Sequence, residues 1–149
     1  MTQATFDAWN RLNGLQLRPV RGISRELADE ILAVQYLDAV RAEDLPSGLD
    51  YAVADYSVNS GPAKAVRDLQ RELGVSADGV IGVQTLAAVS QADIPDLIVR
   101  LCRRRMRFLH SLKTWGTFGG GWGRRVMGNQ DGGAVARHRC CGSSGTSVA

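Results

Sequence analysis

The chain is poor in the residues that build metal and covalent-catalysis sites. Its 149 residues include three cysteines and two histidines. Cys102 falls in an apolar helical pattern and reads as a buried thiol; Cys140 and Cys141 are adjacent in a Gly/Ser-rich stretch. Neighbouring cysteines rarely bond each other, so no disulfide framework and no metal-type spacing is expected. His110 and His138 suggest no Ser/His/Asp or Cys/His arrangement. Gly119-Gly120-Gly121 lacks the strand before it and the Lys-Ser/Thr after it that a phosphate loop needs. Neither a metal nor a small-molecule cofactor is therefore expected. No apolar run approaches the length of a membrane span, so no membrane insertion is expected. The N-terminus, Met1-Thr2-Gln3-Ala4-Thr5-Phe6-Asp7, has no basic region followed by an apolar one. The expectation is synthesis in the cytoplasm without a Sec-type leader.

What the chain does have is an ordinary globular composition, 44% hydrophobic and 22% charged, enough to bury a core. The net charge of +3 conceals an asymmetry. Residues 1–96 hold 8 Lys/Arg against 14 Asp/Glu, whereas residues 97–149 hold 10 against 1. A basic half of this kind favours an anionic partner: wall peptides, nucleic acid or anionic lipid.

Helical periodicity dominates. Residues 3–12 form a short helix with Phe6 and Trp9 on one side, ended by Asn13-Gly14. Ser24 caps a helix running to about Val40, with Leu27, Ile31, Val34 and Leu37 as its buried stripe. Asp44-Leu45-Pro46 breaks the pattern. Leu49, Ala52, Val53 and Tyr56 line another helix. After Asn59-Ser60-Gly61-Pro62, with Asn59 or Ser60 as cap and Pro62 in the first turn, Val66, Leu69 and Leu73 line the next, which Gly74 ends. Asp78-Gly79-Val80-Ile81-Gly82 turns into a helix carrying Thr85 and Leu86. A long helix then runs from Asp93-Ile94-Pro95 to about Lys113, with Leu97, Leu101, Phe108 and Leu112 at core spacing. Arg100, Arg103, Arg104, Arg105 and Arg107 cover much of its remaining circumference. In residues 113–126 the glycines permit tight turns, and Trp115, Phe118 and Trp122 either pack on the core or stack on a sugar. Residues 129–149 read as a disordered tail.

The order of these signals carries a resemblance. Leu69-Gln70-Arg71-Glu72-Leu73-Gly74-Val75, Asp78-Gly79-Val80-Ile81-Gly82 and Thr85-Leu86-Ala87-Ala88-Val89 resemble the helical peptidoglycan-binding motif of bacterial wall enzymes. With Leu45-Pro46-Ser47-Gly48-Leu49-Asp50, Asp55-Tyr56-Ser57-Val58-Asn59-Ser60-Gly61-Pro62 and the segment 113–126, the chain resembles glycoside hydrolase family 108 from Thr2 to Met127. That family comprises N-acetylmuramidases fused to a predicted peptidoglycan-binding domain, and includes endolysin-like factors.

The resemblance implies an all-α, lysozyme-like helical domain with a peptidoglycan-binding helical C-terminal half. It divides the chain into a partial muramidase-like region at 1–60, a peptidoglycan-binding region at 61–128 and the tail. It implies peptidoglycan as partner, the cell wall or periplasm as site of action, and hydrolysis of the β-1,4 glycosidic bond as the family reaction. That reaction needs a carboxylic acid of raised pKa. The family's acid is a Glu in an upstream Glu-Gly-Gly motif; this chain has no Glu-Gly-Gly and no Glu before Glu26. The expectation is an N-terminally truncated relative, weak or inactive as a hydrolase. Asp55, one helical turn before Asn59, is the weak catalytic candidate. Asp55, Asn59, Ser60, Trp115 and Trp122 are the substrate-binding candidates. A non-catalytic wall-binding module is the first alternative. Nucleic-acid binding through the Arg100–Arg107 helix is the second, on the weak signal of a lone basic helix.

Overall fold

The chain builds its core from helices alone across the residues that can be described, 1–127 of a computed structural model. Seven α-helices occupy this stretch: α1 (Gln3–Leu12), α2 (Arg25–Leu32), α3 (Leu49–Ser60), α4 (Pro62–Leu73), α5 (Val83–Ser90), α6 (Ile94–His110) and α7 (Trp115–Met127). The fold is all-α and lysozyme-like, as expected. The tail read at residues 129–149 lies outside the described residues.

Local chemistry accounts for several helix ends. The Thr2 hydroxyl accepts from the Thr5 amide at the start of α1, and Ser24 does the same for Leu27 at the start of α2. Asp93 caps α6 by accepting from the Asp96 amide at 2.9 Å. Each side chain satisfies an amide that a helix leaves unpaired at its first turn. Gly74 closes α4 at φ +73°, the left-handed conformation that a Cβ disfavours.

Three local expectations are corrected. Asn59 and Ser60 do not cap α4, because they form the last turn of α3; Gly61, at φ +88°, makes the junction to Pro62. The helix expected to continue to Val40 stops at Leu32 and passes through a wide π turn, Ala33–Leu37. One extra residue in a turn rotates the following side chains by about 100°. The stripe is therefore broken: Ile31 is fully buried, whereas Val34 and Leu37 are exposed and Val40 is buried in their place. The glycine-rich segment expected to turn is instead helix α7.

Two cores result. The small one joins α1 to α2 through Phe6, Trp9 and Ile31. The main one runs from Val40 to Val126 and takes residues from α3, α4, α5, α6 and α7, centred on Tyr56, Leu69, Leu97 and Leu101. It crosses the 60/61 boundary, since α3 packs on α4. Cys102 is buried, but it is disulfide-bonded rather than the free thiol expected.

Helix α7 is an unusual member of this core. Five of its thirteen residues are glycine, a deficit of about 4–5 kcal/mol in helix propensity against alanine. Tertiary contacts hold it: Val126 is fully buried, and Trp115 and Trp122 pack against the main core.

Candidate functional site

Asp55 sits inside α3 and is buried, 9% exposed. Arg105 of α6 donates from Nη1 to its Oδ2 at 2.7 Å. Arg125 of α7 donates to Oδ1 from Nη2 at 2.5 Å and from Nε at 3.0 Å. Asn59 donates from Nδ2 to the Asp55 carbonyl at 2.6 Å and to Oδ1 at 3.3 Å. Burial works against the charged form, but the hydrogen bonds and charges of Arg125 and Arg105 together outweigh it, and the carboxyl is held below its ordinary range. A general acid for glycoside cleavage needs the opposite displacement.

A second buried carboxylate extends the network. Asp68 of α4, 1% exposed, accepts from the Tyr56 hydroxyl at 2.6 Å, Lys64 at 2.5 Å and Arg71 at 2.7 Å. Its pKa is also lowered, because Lys64 and Tyr56 outweigh burial. Burial and the Asp68 charge push the Tyr56 phenol well above its usual value. Arg105 closes the chain, with its guanidinium 5.0 Å from the Tyr56 ring centroid. Asp68, Tyr56, Arg105, Asp55 and Arg125 thus link α4, α3, α6 and α7.

The placement of Arg105 corrects its reading as part of the basic face of α6. Arg105 is 3% exposed. The signal was present in the spacing: Leu97, Leu101, Arg105 and Leu109 recur every fourth residue, so Arg105 occupies a core position. An acid within the apolar face of α3 is its complement.

The aromatic candidates come together on α7. Trp115, Phe118 and Trp122 share one face of the helix. The Trp115 and Trp122 ring centroids are 6.3 Å apart, and those of Phe118 and Trp122 are 5.7 Å apart. His110, at the end of α6, stacks on Trp115 at 3.7 Å. Gly119 makes this possible: a Cβ there would lie 2.5 Å from the Trp115 ring. The two tryptophans are half-buried against the core, and Phe118 is 54% exposed. Arg125 follows Trp122 by three residues, so the Asp55 clasp and this aromatic ledge are two ends of one helix. Ser60 is half-buried and, among the described residues, its side chain makes no hydrogen bond to the other candidates. Sequence reasoning had placed Phe118 with the tryptophans but missed His110 and Arg125 as members of these clusters.

The turn between α4 and α5 is fixed by Gln70, 1% exposed. Its Nε2 donates to Asp78 Oδ1 at 2.7 Å, to the Val80 carbonyl at 2.9 Å and to Thr85 Oγ1 at 3.1 Å. Its Oε1 accepts from the Gly79 amide at 2.9 Å. Among the described residues no three His, Cys, Asp or Glu side chains converge as a metal site. No helix there is long and apolar enough to cross a membrane.

Comparison with known proteins matches residues 1–61 to the family described as Glycosyl hydrolase 108 and residues 64–127 to the Predicted Peptidoglycan domain. The structure of Brucella abortus SagA superposes with a TM-score of 0.78 at 41% sequence identity, covering 85% of this chain and 72% of that one. The chain belongs to glycosyl hydrolase family 108. No curated protein matches it. It is a peptidoglycan-directed protein of the muramidase type, and its partner is peptidoglycan. In this family 108 chain the Gln70-locked turn, the Arg-rich helix α6 and the aromatic ledge all fall within the peptidoglycan domain.

Proposed function

We propose that this chain holds the wall glycan and does not itself cleave it. The observation that carries the reading is electrostatic. Every carboxyl group whose pKa is displaced among the described residues, Glu26, Asp55, Asp68 and Asp78, is displaced downward. Each favours the ionised form, whereas glycosidic cleavage needs one carboxyl kept protonated. Asp55 is moreover engaged by two arginines and an amide, all of them donors to its carboxylate, which favours the form with no proton to give a leaving oxygen.

Binding falls to the aromatic ledge. Trp115, Phe118 and Trp122 offer flat apolar faces of the kind that stack on pyranose rings. Asn59, exposed at the end of α3, supplies a polar group, and Ser60 beside it a hydroxyl. Asp55 is a positioning residue: through Arg125 it fixes the helix that carries the ledge. The site of action is the cell wall, and no cofactor is required for binding.

The test is cosedimentation with purified Gram-negative peptidoglycan together with reducing-end release, for the full chain and for Asp55→Asn. The expected result is protein in the wall pellet and no release above the blank. Release above the blank by the unaltered full chain would overturn the proposal, whether or not Asp55→Asn retains it.

A further inference from the structure

Between Leu97 and Met127 the chain has eight Lys or Arg residues and no Asp or Glu. The structure divides the five arginines of α6, with Arg125, into two groups. Arg100 and Arg104 reach Glu72, Arg100 also reaches Asp96, and Arg105 and Arg125 reach Asp55. These hold the helices together. Arg103 and Arg107 do not: both are exposed, and neither has a carboxylate within ion-pair distance among the described residues. They lie one turn apart on α6, and exposed His110 continues the same face. His110 in turn stacks on Trp115. A row of unpaired guanidinium groups therefore runs without interruption into the aromatic ledge.

We infer that Arg103 and Arg107 read the free carboxylates of the wall's stem peptides while the adjoining Trp115 ledge holds the sugar to which the peptide is attached. The inference rests on the wall-binding reading above and adds to it the anionic peptide as the second half of the ligand. Charge complementarity selects this occupant. Like charges with no acid nearby repel one another, and an anion relieves that repulsion. The planar guanidinium forks match carboxylates in two-point contacts. An aromatic ring beside them suits a ligand that is part sugar and part acid. A neutral glycan would leave the row unused.

The experiment measures binding of the full chain to purified sacculi at one fixed ionic strength, beside sacculi whose free carboxylates have been amidated. Arg103→Gln/Arg107→Gln and Arg103→Lys/Arg107→Lys are compared with the unaltered chain, and thermal melts verify that each variant folds. Amidation is expected to weaken binding of the unaltered chain about tenfold, the scale of two exposed ion pairs. The glutamine variant is expected to lose the same factor on native sacculi and nothing further on amidated ones. The lysine variant is expected to keep most of the affinity, and moderate salt to erase the difference between the two sacculi. Equal binding of the unaltered chain to native and amidated sacculi would overturn this inference and leave the wall-binding reading standing. Absence from both pellets would overturn both. Tighter binding to duplex DNA than to sacculi, lost in the glutamine variant, would overturn it in favour of a nucleic-acid contact.

Discussion

Replacing Asp55 by Asn should destabilise the protein far more than a surface ion pair would. The magnitude follows from the unequal exposure of its two partners. The Arg105 side chain is 4% exposed and that of Asp55 7%, whereas that of Arg125 is 55% exposed. Without the carboxylate charge, Arg105 stays charged in the core with no counter-ion, a condition that costs about 3–5 kcal/mol. Arg125 swings into water and adds no more than about 1 kcal/mol. A domain of this size holds roughly 6–19 kcal/mol in all, and each kcal/mol moves the midpoint by about 3–5 °C. The Tm of Asp55→Asn should therefore fall by roughly 10–20 °C. Arg125→Gln, which removes only the exposed partner, should lower it by less than about 5 °C. Asp55→Asn/Arg105→Met should recover most of the loss, since the pair is then replaced by apolar packing. Circular dichroism melts on the four proteins measure this. A Tm for Asp55→Asn within about 2 °C of the unaltered chain would refute the reasoning, because a stranded buried charge cannot cost so little.

Acid should loosen the same clasp. The folded pKa values of Asp55 and Asp68 lie below their unfolded ones, so their stabilisation is complete above the unfolded aspartate value near 4 and is lost as pH falls through the folded values. The Tm should be nearly level from neutral pH down to about 5 and then drop, with a shallower drop in Asp55→Asn. Gly119→Ala should disturb the ledge despite alanine's better helix propensity, because the new methyl meets the Trp115 ring at 2.5 Å. Altered tryptophan emission and weaker sacculus binding would register this. Gly121→Ala, which meets nothing within 4 Å, should instead raise stability by about 1 kcal/mol with binding unchanged. Gly74→Ala, placed at φ +73°, should cost about 1 kcal/mol in a denaturant titration, as a Cβ in the left-handed region does.

Much of this protein was legible from residue order. The helical periods around Phe6 and Trp9, Leu49 to Tyr56, Val66 to Leu73 and Leu97 to Leu109 each marked a buried face, because a helix must turn its apolar stripe inward wherever it packs. Gly74, Asp93 and Pro62 marked helix ends, because unpaired amides and left-handed backbone are local problems with local solutions. The linear motifs across 45–126 carried the family. Other features depended on distance in space. A π turn after Leu32 shifted the register, so Val34 and Leu37 faced water although their spacing matched the stripe. Five glycines read as turns became helix α7, because burial of Val126 and the two tryptophans outweighs weak propensity.

The functional reading divides along the same line. Sequence by itself determined that the chain is helical, basic in its second half and directed at peptidoglycan, since motifs and charge are properties of residue order. Only the tertiary structure decided what each charge does. Asp55 and Arg105 are 50 residues apart, and no local pattern states that they will meet. Once they do, the hydrogen bonds and charges of Arg105 and Arg125 hold the Asp55 carboxyl in its ionised form despite its burial. The same packing pairs some arginines of α6 with acids from α3 and α4 and leaves Arg103 and Arg107 facing solvent. Which arginine is structural and which is available to a ligand depends on the helices packed around it, because a carboxylate in contact consumes the charge that an exposed guanidinium keeps.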